Sequence, residues 1–321
     1  MVMEEEEMGA ENRWKSYGGR RKMSTLNLSD KIFVFANHMF LIFVFLMTLY
    51  PLLFVLSASV SEPASVTKGE MLLFPVGFTM EGYRHLLKYK DIWSGYGNAF
   101  FYTITGTFLN LLVTIPAAYA LSRKDLRYRG MILGLFVFTM YFSGGLIPTY
   151  LNMKSFGLLD KRTAILILGL VSPYNLIVAR TFFGNTIPWE LQEAARIDGA
   201  SNLTIFLRIV LPLSKPIMAV MVLYYGVSHW NSYFTEMIYL RDRSKWPLQL
   251  FLREILAQGQ MAAASIEGAD AQSVQALMQQ QDTANLLKYA VMVAAILPMM
   301  VLYPFLQKFF AKGVMIGSIK G

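Results

Sequence analysis

Residues 185–216 read NTIPWELQEAARIDGASNLTIFLRIVLPLSKP, and they place a polar loop between two apolar segments. Pro188 suits the first turn of a helix, because its missing N–H would have no partner there anyway. Gly199 can take the positive φ that ends a helix, and Ser201 can cap a second one. The stretch therefore predicts a short helix, a sharp glycine turn and a second helix that runs into the next apolar segment.

One face of the first predicted helix is built mainly from small residues. Four residues recur on it at helical spacing: Leu191, Ala194, Ala195 and Asp198. Such a face can lie deep in a groove of another protein. It can equally rest on lipid headgroups, as amphipathic helices do. The residues alone leave both alternatives open.

The chain as a whole is too apolar for an ordinary water-soluble protein. Of its 321 residues, 55% are hydrophobic and 16% are charged, whereas soluble domains carry about 25% charge. Six apolar segments each approach the roughly 20 residues that span a bilayer. They lie at about 32–58, 98–121, 131–152, 163–183, 207–231 and 286–310. The sequence therefore predicts an all-α integral membrane protein with six transmembrane helices.

Two of the six segments contain residues that interrupt a straight helix. The third contains Gly144, Gly145 and Pro148, and the fifth contains Pro212 and Pro216. Pro and Gly are tolerated within a span where neighbouring helices or cavity water satisfy the freed backbone groups. We therefore expect both segments to cross the membrane.

Basic residues in the short loops predict the orientation. They precede the first span, crowd the loop between the second and third, and follow the last one. Because cytoplasmic loops carry such an excess of Lys and Arg, both termini are expected in the cytoplasm. This divides the chain into a cytoplasmic tail at 1–31, a six-helix membrane domain at 32–311 and a cytoplasmic tail at 312–321. The longest outer loop then lies at 232–285.

Several classes of function are disfavoured by the composition. The net charge of +8 sits between apolar segments, which fits the orientation above better than nucleic-acid binding. Cysteine is absent and the three histidines are far apart, so no metal site is expected. No Gly-x-x-x-x-Gly-Lys-Ser/Thr phosphate loop occurs, so the chain is not expected to hydrolyse ATP. No catalytic cluster can be singled out either, which disfavours a membrane enzyme.

A stand-alone secondary carrier or channel for a small polar solute is the main alternative to a subunit of a larger transporter. Carriers driven by protons or sodium usually need ionisable groups inside the membrane. No Asp or Glu lies in the middle of any predicted span, which weakens this alternative.

The polar loop also resembles a known signature. Its matching residues are Glu193, Ala194, Ala195, Gly199, Ile209, Leu211 and Pro212. Their types and spacing are similar to the E-A-A loop of permease subunits in binding-protein-dependent ABC importers, and every fixed position matches. The resemblance covers most of the chain and is to carbohydrate permeases of the maltose-permease type. The long segment at 232–285 resembles the subgroup for oligosaccharides or polysaccharide fragments.

The resemblance implies that the segment at about 188–204 is a coupling helix in a cleft of an ATP-binding subunit. Glu193 would contact that subunit, Ala194 and Ala195 would permit close approach, and Gly199 would make the turn. The implied coupling residues are Glu193, Ala194, Ala195, Asp198, Gly199, Leu211 and Pro212.

The resemblance also implies partners in the plasma membrane of a bacterium. They are a homologous second permease, two ATP-binding subunits that hold ATP and Mg, and an extracellular solute-binding protein. The chain itself would hold no cofactor and catalyse no reaction. It would form part of the path for a carbohydrate, most simply an oligosaccharide.

Polar and aromatic groups of the fifth span are the candidate substrate contacts. They are Tyr224, Tyr225, Ser228 and Asn231. Aromatic faces with hydroxyl and amide partners commonly bind sugars. Tyrosines near span ends more often belong to the interfacial belt or the core. The first three residues are expected deeper than that belt reaches, which favours the pathway role.

Overall fold

The computed structural model describes residues 27–265 and 271–317. Regular structure within these ranges is helical throughout, which confirms the all-α prediction. The described residues form two compact units, one within 27–55 and 72–74 and the other within 56–71 and 75–317. Residues 1–26 of the predicted N-terminal tail and 318–321 of the predicted C-terminal tail lie outside the described residues.

The described part of the first unit is mainly the helix α1 (Leu28–Ser59), whose last residues belong to the second unit. Large apolar side chains such as Phe33, Phe40 and Phe43 are exposed along it. A helix that is apolar all round is typical of one surrounded by lipid or by other helices. It corresponds to the first predicted span.

The second unit contains the remaining elements. The first half comprises α2 (Pro63–Thr67), α3 (Glu81–Lys88), α4 (Lys90–Ser122), α5 (Arg129–Tyr141), α6 (Leu146–Ser155), α7 (Arg162–Ile167), α8 (Pro173–Thr186) and α9 (Trp189–Ile197). The second half comprises α10 (Asn202–Ile205), a π-helical turn (Phe206–Val210), α11 (Leu211–Leu213), α12 (Lys215–Trp230), α13 (Phe234–Tyr239), a 3₁₀ turn (Arg243–Lys245), α14 (Leu248–Ser265) and α15 (Ala271–Gly317). The helix α15 thus continues past residue 312, where the predicted C-terminal tail begins.

Three helical segments of the described residues are long and apolar enough to cross a membrane: α1, α4 and residues 287–304 of α15. Two bent pairs bring the number to five if each pair is one span. They are α5 with α6, bent by 112°, and residues 202–213 with α12, bent by 80°. The predicted span at 163–183 is interrupted between α7 and α8 and is not among the five. The count of six spans therefore stays a prediction.

Both bends lie where the sequence has glycine or proline. Gly145, with a φ of +83°, directly precedes α6. Ser214 separates α11 from α12 and is flanked by Pro212 and Pro216. Proline lacks an N–H and its ring clashes with the carbonyl one turn earlier, so a straight helix cannot continue unchanged. These segments are sharply bent rather than the simple spans that hydropathy suggests.

The long helix α4 is the central element of the second unit. It packs against α8, α12 and α14. A buried cluster joins its C-terminal half to the polar loop and includes Ile115, Tyr119, Phe183, Ile205 and Met221. Another buried cluster joins its N-terminal half to α12, α14 and α15 and includes Ile92, Ala99, Trp230, Phe251 and Val291.

The beginning of the predicted outer loop is tied to α4 by polar contacts. Asn98 Nδ2 donates to the carbonyls of Ser244 (2.7 Å) and Trp246 (3.0 Å). The Tyr102 hydroxyl donates to the carbonyl of Lys245 at 2.9 Å. Because these side chains satisfy loop carbonyls, residues 244–246 have a defined position against the helix.

Candidate functional site

The predicted helix, glycine turn and second helix are all present in the polar loop. Pro188 immediately precedes α9, and Gly199 follows its last turn with a φ of +80°. Ser201 then caps α10, because its Oγ accepts a hydrogen bond from the Thr204 N–H at 3.2 Å. Local sequence signals account for this geometry, since a positive φ favours glycine and a serine cap satisfies a free N–H.

The helix α9 has one buried and one exposed side. Gln192 and Ala195 are buried, whereas Glu193 and Ala194 are exposed. Ile197 near the end of the helix is 87% exposed. The alanine pair is therefore divided between the two sides, contrary to the expectation of one docking face that contains both. Successive helical residues point about 100° apart, so residues three positions apart lie on nearly the same side of a helix. Because Gln192 is held on the buried side of α9, Ala195 also faces the core.

The remaining candidate coupling residues lie around the turn and beyond it. Asp198 and Gly199 are exposed at the end of α9. Leu211 packs partly against the buried cluster around Tyr119, and Pro212 is exposed. Five of the seven candidates are therefore exposed, whereas Ala195 is buried and Leu211 is partly buried in the same apolar cluster.

A buried hydrogen bond joins α9 to α4. The Tyr119 hydroxyl donates to Gln192 Oε1 at 2.9 Å, and both residues are buried. Arg123 Nη1 donates to the same hydroxyl at 3.2 Å. The Tyr119 ring also stacks on Phe206 with a centroid distance of 5.3 Å. Both the helix α9 and the turn that follows α10 are therefore held by one tyrosine.

An ion-pair network adds a second connection at the end of α4. Asp125 accepts hydrogen bonds from Arg123 at 2.9 and 2.7 Å and from Arg196 of α9 at 2.6 Å. Burial by itself would lower the pKa of Arg123, but its hydrogen bonds to Asp125 and Tyr119 raise it overall. The Trp189 ring lies near both guanidinium groups, and its Nε1 donates to Glu193 Oε1 at 2.6 Å. Paired charges of this kind fix the orientation of α9.

A cavity of about 910 Å³ is lined by α7, α8, α12, α13 and the segment between α7 and α8. Three of the candidate substrate residues line it, namely Tyr224, Tyr225 and Ser228. The Tyr174 and Tyr224 rings lie 6.4 Å apart, and Tyr224 is exposed whereas Tyr225 is buried. Asn231 lies at the end of α12 and is not among the described lining residues.

The cavity wall includes a break in the helical backbone at residues 168–172. Gly169 takes a φ of +75° there. Asn110 Nδ2 of α4 donates to the carbonyls of Gly169 (3.0 Å) and Leu170 (2.7 Å), while its Oδ1 accepts from His229 Nε2 at 2.7 Å. Irregular backbone at membrane depth is stable when buried partners satisfy it or when it lines a cavity. Both conditions hold here, which explains why the predicted span at 163–183 is interrupted.

Tyr225 supports the same break. Its hydroxyl accepts from the Ser172 N–H at 3.1 Å and lies 2.8 Å from Thr114 Oγ1 of α4. Its side chain is buried, so it stabilises the cavity wall as well as lining it. The pathway prediction did not foresee this contact.

Several residues of the site had not been singled out in the sequence. They are Asn110, Thr114, Tyr119, Gln192, His229 and Glu236. Asn110 and Thr114 are four residues apart in an apolar segment, so they share one helix face. Polar side chains within membrane helices commonly make hydrogen bonds between helices, and this pair was an available signal.

Glu236 is a buried carboxyl in the lining of the cavity. It is 1% exposed and accepts a hydrogen bond from Ser232 Oγ at 2.8 Å. Burial raises its pKa, so the folded chain favours the protonated carboxyl. The protonated Glu236 therefore contributes to the free energy of unfolding. This contribution is fully present at pH values below the ordinary pKa of glutamate and is lost as the pH rises through the elevated pKa. Thermal unfolding of the purified protein in detergent should therefore show falling stability over that window.

Substitution of this carboxyl provides the check. We expect Glu236→Gln to flatten the pH dependence of the unfolding midpoint, because the amide does not titrate. The exposed Glu190→Gln is the matched control and should leave the slope unchanged. An unchanged slope in Glu236→Gln would contradict the assignment.

Comparison with known proteins supports the resemblance noted in the polar loop. A family model described as "Binding-protein-dependent transport system inner membrane component" matches residues 92–316. The protein LplC of Bacillus subtilis (strain 168) is 39% identical over 293 residues, which cover 91% of this chain and 96% of LplC. The polygalacturonan/rhamnogalacturonan transport system permease protein YtcP of the same strain is 37% identical over 294 residues, covering 92% of this chain and 100% of YtcP.

A solved structure is similar along nearly the same length. It is the crystal structure of a bacterial ABC transporter involved in the import of the acidic polysaccharide alginate. One of its chains matches with a TM-score of 0.77 and 35% identity, covering 89% of this chain and 99% of that chain. The matches span both the polar loop and the cavity, so the chain belongs to the family of inner membrane components of binding-protein-dependent transport systems.

Proposed function

We propose that this chain is a permease subunit of an ABC importer that carries an oligosaccharide across the plasma membrane of a bacterium. Its similarity to LplC, to YtcP and to a chain of the alginate importer supports the transporter class. The names of the latter two refer to polysaccharides, which supports a carbohydrate as the substrate. Membership of this family also favours the importer over a stand-alone carrier.

The observation that carries the coupling assignment is the exposed side of α9. The helix is held from behind by Gln192 and Arg196, while Ile197 is 87% exposed. Helices that rest on lipid headgroups are usually rich in Lys and Arg on their polar face. Here Glu190 and Glu193 are exposed, and Arg196 is paired with Asp125. An acidic helix with an exposed isoleucine is better suited to a protein groove than to an anionic membrane surface.

The ATP-binding partner would therefore meet the exposed coupling residues directly. Glu193, Ala194, Asp198 and Pro212 are available for this contact, and Gly199 sets the angle between α9 and α10. Ala195 and Leu211 would act from the buried side, through the apolar cluster that supports α9 and the turn after it. ATP and Mg would be bound by the two ATP-binding subunits, and this chain would hold no cofactor.

The same proposal describes the rest of the assembly. A homologous second permease would complete the membrane path, and an extracellular solute-binding protein would deliver the sugar. Six spans would place both termini in the cytoplasm and residues 232–285 outside, where the binding protein docks. The segment formed by α7 and α8 would serve as the fourth span despite its break.

The cavity is suited to a polar, hydroxyl-rich solute. Tyr174 and Tyr224 supply aromatic faces, and Ser228 supplies a hydroxyl. Sugar rings present apolar faces and hydroxyl edges, so such a wall can contact both. We assign Tyr224 and Ser228 to the sugar path, with Tyr225 fixing the wall behind them.

Purification from the native membrane in mild detergent tests the assembly. We expect the chain to retain a second permease and an ATP-binding subunit, and the reconstituted complex to take up oligosaccharide only with ATP. Ile197→Glu should release the ATP-binding subunit, because it places a charge in the groove. Phe78→Glu is the control, since Phe78 is 68% exposed but lies outside the polar loop. A chain that purifies alone and moves solute without ATP would instead be a stand-alone carrier.

A further inference from the structure

The backbone connection from α9 to α12 is interrupted at several points, so it is not a stiff link that would transmit a displacement. It passes through the Gly199 turn and the π-helical turn Phe206–Val210. It then bends by 80° between residues 202–213 and α12. Each of these features interrupts the regular hydrogen bonding that makes a helix stiff. A movement of α9 would be partly absorbed along this route.

The side chains of α4 make a more direct connection at the coupling end. Tyr119 is bonded to Gln192 at 2.9 Å, and Arg196 reaches Asp125 just beyond the end of α4 at 2.6 Å. The buried cluster that contains Tyr119 and Ala195 adds apolar contact. Two points of attachment prevent α9 from shifting without the end of α4.

The same helix is attached to the cavity wall farther along. Thr114 Oγ1 lies 2.8 Å from the Tyr225 hydroxyl, which accepts from the Ser172 N–H at 3.1 Å. Asn110 holds the carbonyls of Gly169 and Leu170. From Asn110 to Tyr119 the helix rises about 14 Å, at 1.5 Å per residue. The helix is unbroken over this distance, although it contains Pro116, which removes one backbone hydrogen bond.

We propose that α4 transmits the movement of the coupling segment to the cavity, with Tyr119 and Thr114 as positioning residues. The inference rests on the proposed importer function and specifies its internal route. When the ATP-binding subunits move α9, the end of α4 follows through Tyr119. The broken segment at 168–172 then moves with α4, because Thr114 and Asn110 hold it through Tyr225 and the two carbonyls. The substrate path changes shape at the break rather than at the α11–α12 bend.

Conservative variants that each remove one hydroxyl test this route. Tyr119→Phe removes one of the attachments at α9, and Thr114→Val removes one of those at the cavity, while every backbone connection remains. Thr107→Val is the matched control: Thr107 lies two turns before Thr114 on α4, and its buried Oγ1 has no hydrogen-bond partner among the described residues. All variants are measured in proteoliposomes that contain the complete importer. The readout is sugar taken up per ATP hydrolysed.

We expect Tyr119→Phe and Thr114→Val each to lower this ratio by about fivefold, which corresponds to about 1 kcal/mol of lost hydrogen bonding. Tyr119→Phe removes the bonds of its hydroxyl to Gln192 and Arg123, and Thr114→Val removes the bond to Tyr225. ATP hydrolysis should continue, because the ATP-binding subunits remain docked. The double variant should be little worse than either single one, since both interrupt one route. Thr107→Val should keep the wild-type ratio.

The results that would contradict the α4 route can be distinguished from a failure of the proposed importer function. Wild-type ratios in both single variants would overturn the α4 route while leaving the importer assignment intact. Equal losses in Thr114→Val and Thr107→Val would also overturn it, because the effect would then be general disturbance of the helix. A wild-type complex without ATP-driven uptake of any oligosaccharide would overturn the importer assignment and this inference together.

Discussion

Gly199→Val is expected to reduce ATP-driven uptake at least about tenfold and to weaken binding of the ATP-binding subunit. Gly199 has a φ of +80°, where a side chain costs about 1–2 kcal/mol and a β-branched one more. An added Cβ would meet no atom within 4 Å, so the effect comes from the backbone and not from a clash. The turn would relax to a negative φ, and α10 would leave its position relative to α9. Uptake and copurification of the ATP-binding subunit measure the result.

Two further substitutions separate backbone strain from other effects. Gly199→Asn should retain most of the uptake, because asparagine adopts the left-handed conformation more readily than other non-glycine residues. Gly184→Ala, within α8, adds a Cβ that also has nothing within 4 Å and lies at an ordinary helical φ. It should leave uptake unchanged. Wild-type uptake in Gly199→Val would show that the turn is not needed for coupling.

Gly106→Ala is expected to cause a large loss of stability. The added Cβ would lie 2.5 Å from His229 Nε2 and 2.6 Å from Cε1, so the imidazole must move. Its movement breaks the hydrogen bond to Asn110, which holds the broken backbone beside the cavity. Overpacking of this kind costs about 1–3 kcal/mol. The midpoint of thermal unfolding in detergent should fall, and uptake should fall with it.

A glycine-to-alanine substitution at another position of α4 is not expected to lower the unfolding midpoint. Gly97→Ala adds a Cβ with nothing within 4 Å, and alanine favours a helix over glycine by about 1 kcal/mol. The unfolding midpoint should therefore rise or stay constant. Equal destabilisation by both substitutions would contradict the contact between Gly106 and His229.

Much of the candidate site could be predicted from the sequence because its signals are local. The positive φ of Gly199 and the Ser201 cap depend on a few neighbouring residues. The apolar segments that correspond to α1 and α4 are likewise visible in hydropathy alone. The signature around Glu193 led to the family that the comparison with known proteins then established.

Other features required contacts between residues that are distant in the sequence. Hydropathy predicts an unbroken span at 163–183, but Asn110 stabilises a break there by binding carbonyls 59 and 60 residues away. The small-residue pattern places Ala194 and Ala195 together, but the bond from Tyr119 to Gln192 turns Ala195 inward. No spacing rule relates these pairs.

The sequence by itself thus determined the helical class, the family and the helix–glycine–helix form of the polar loop. These depend on composition, capping and backbone preference, which act over a few residues. The tertiary structure alone decided which side of α9 faces outward, where the cavity wall is broken and how α4 connects α9 to that wall. Those outcomes depend on which buried polar groups find partners, and in this chain the partners come from separate helices.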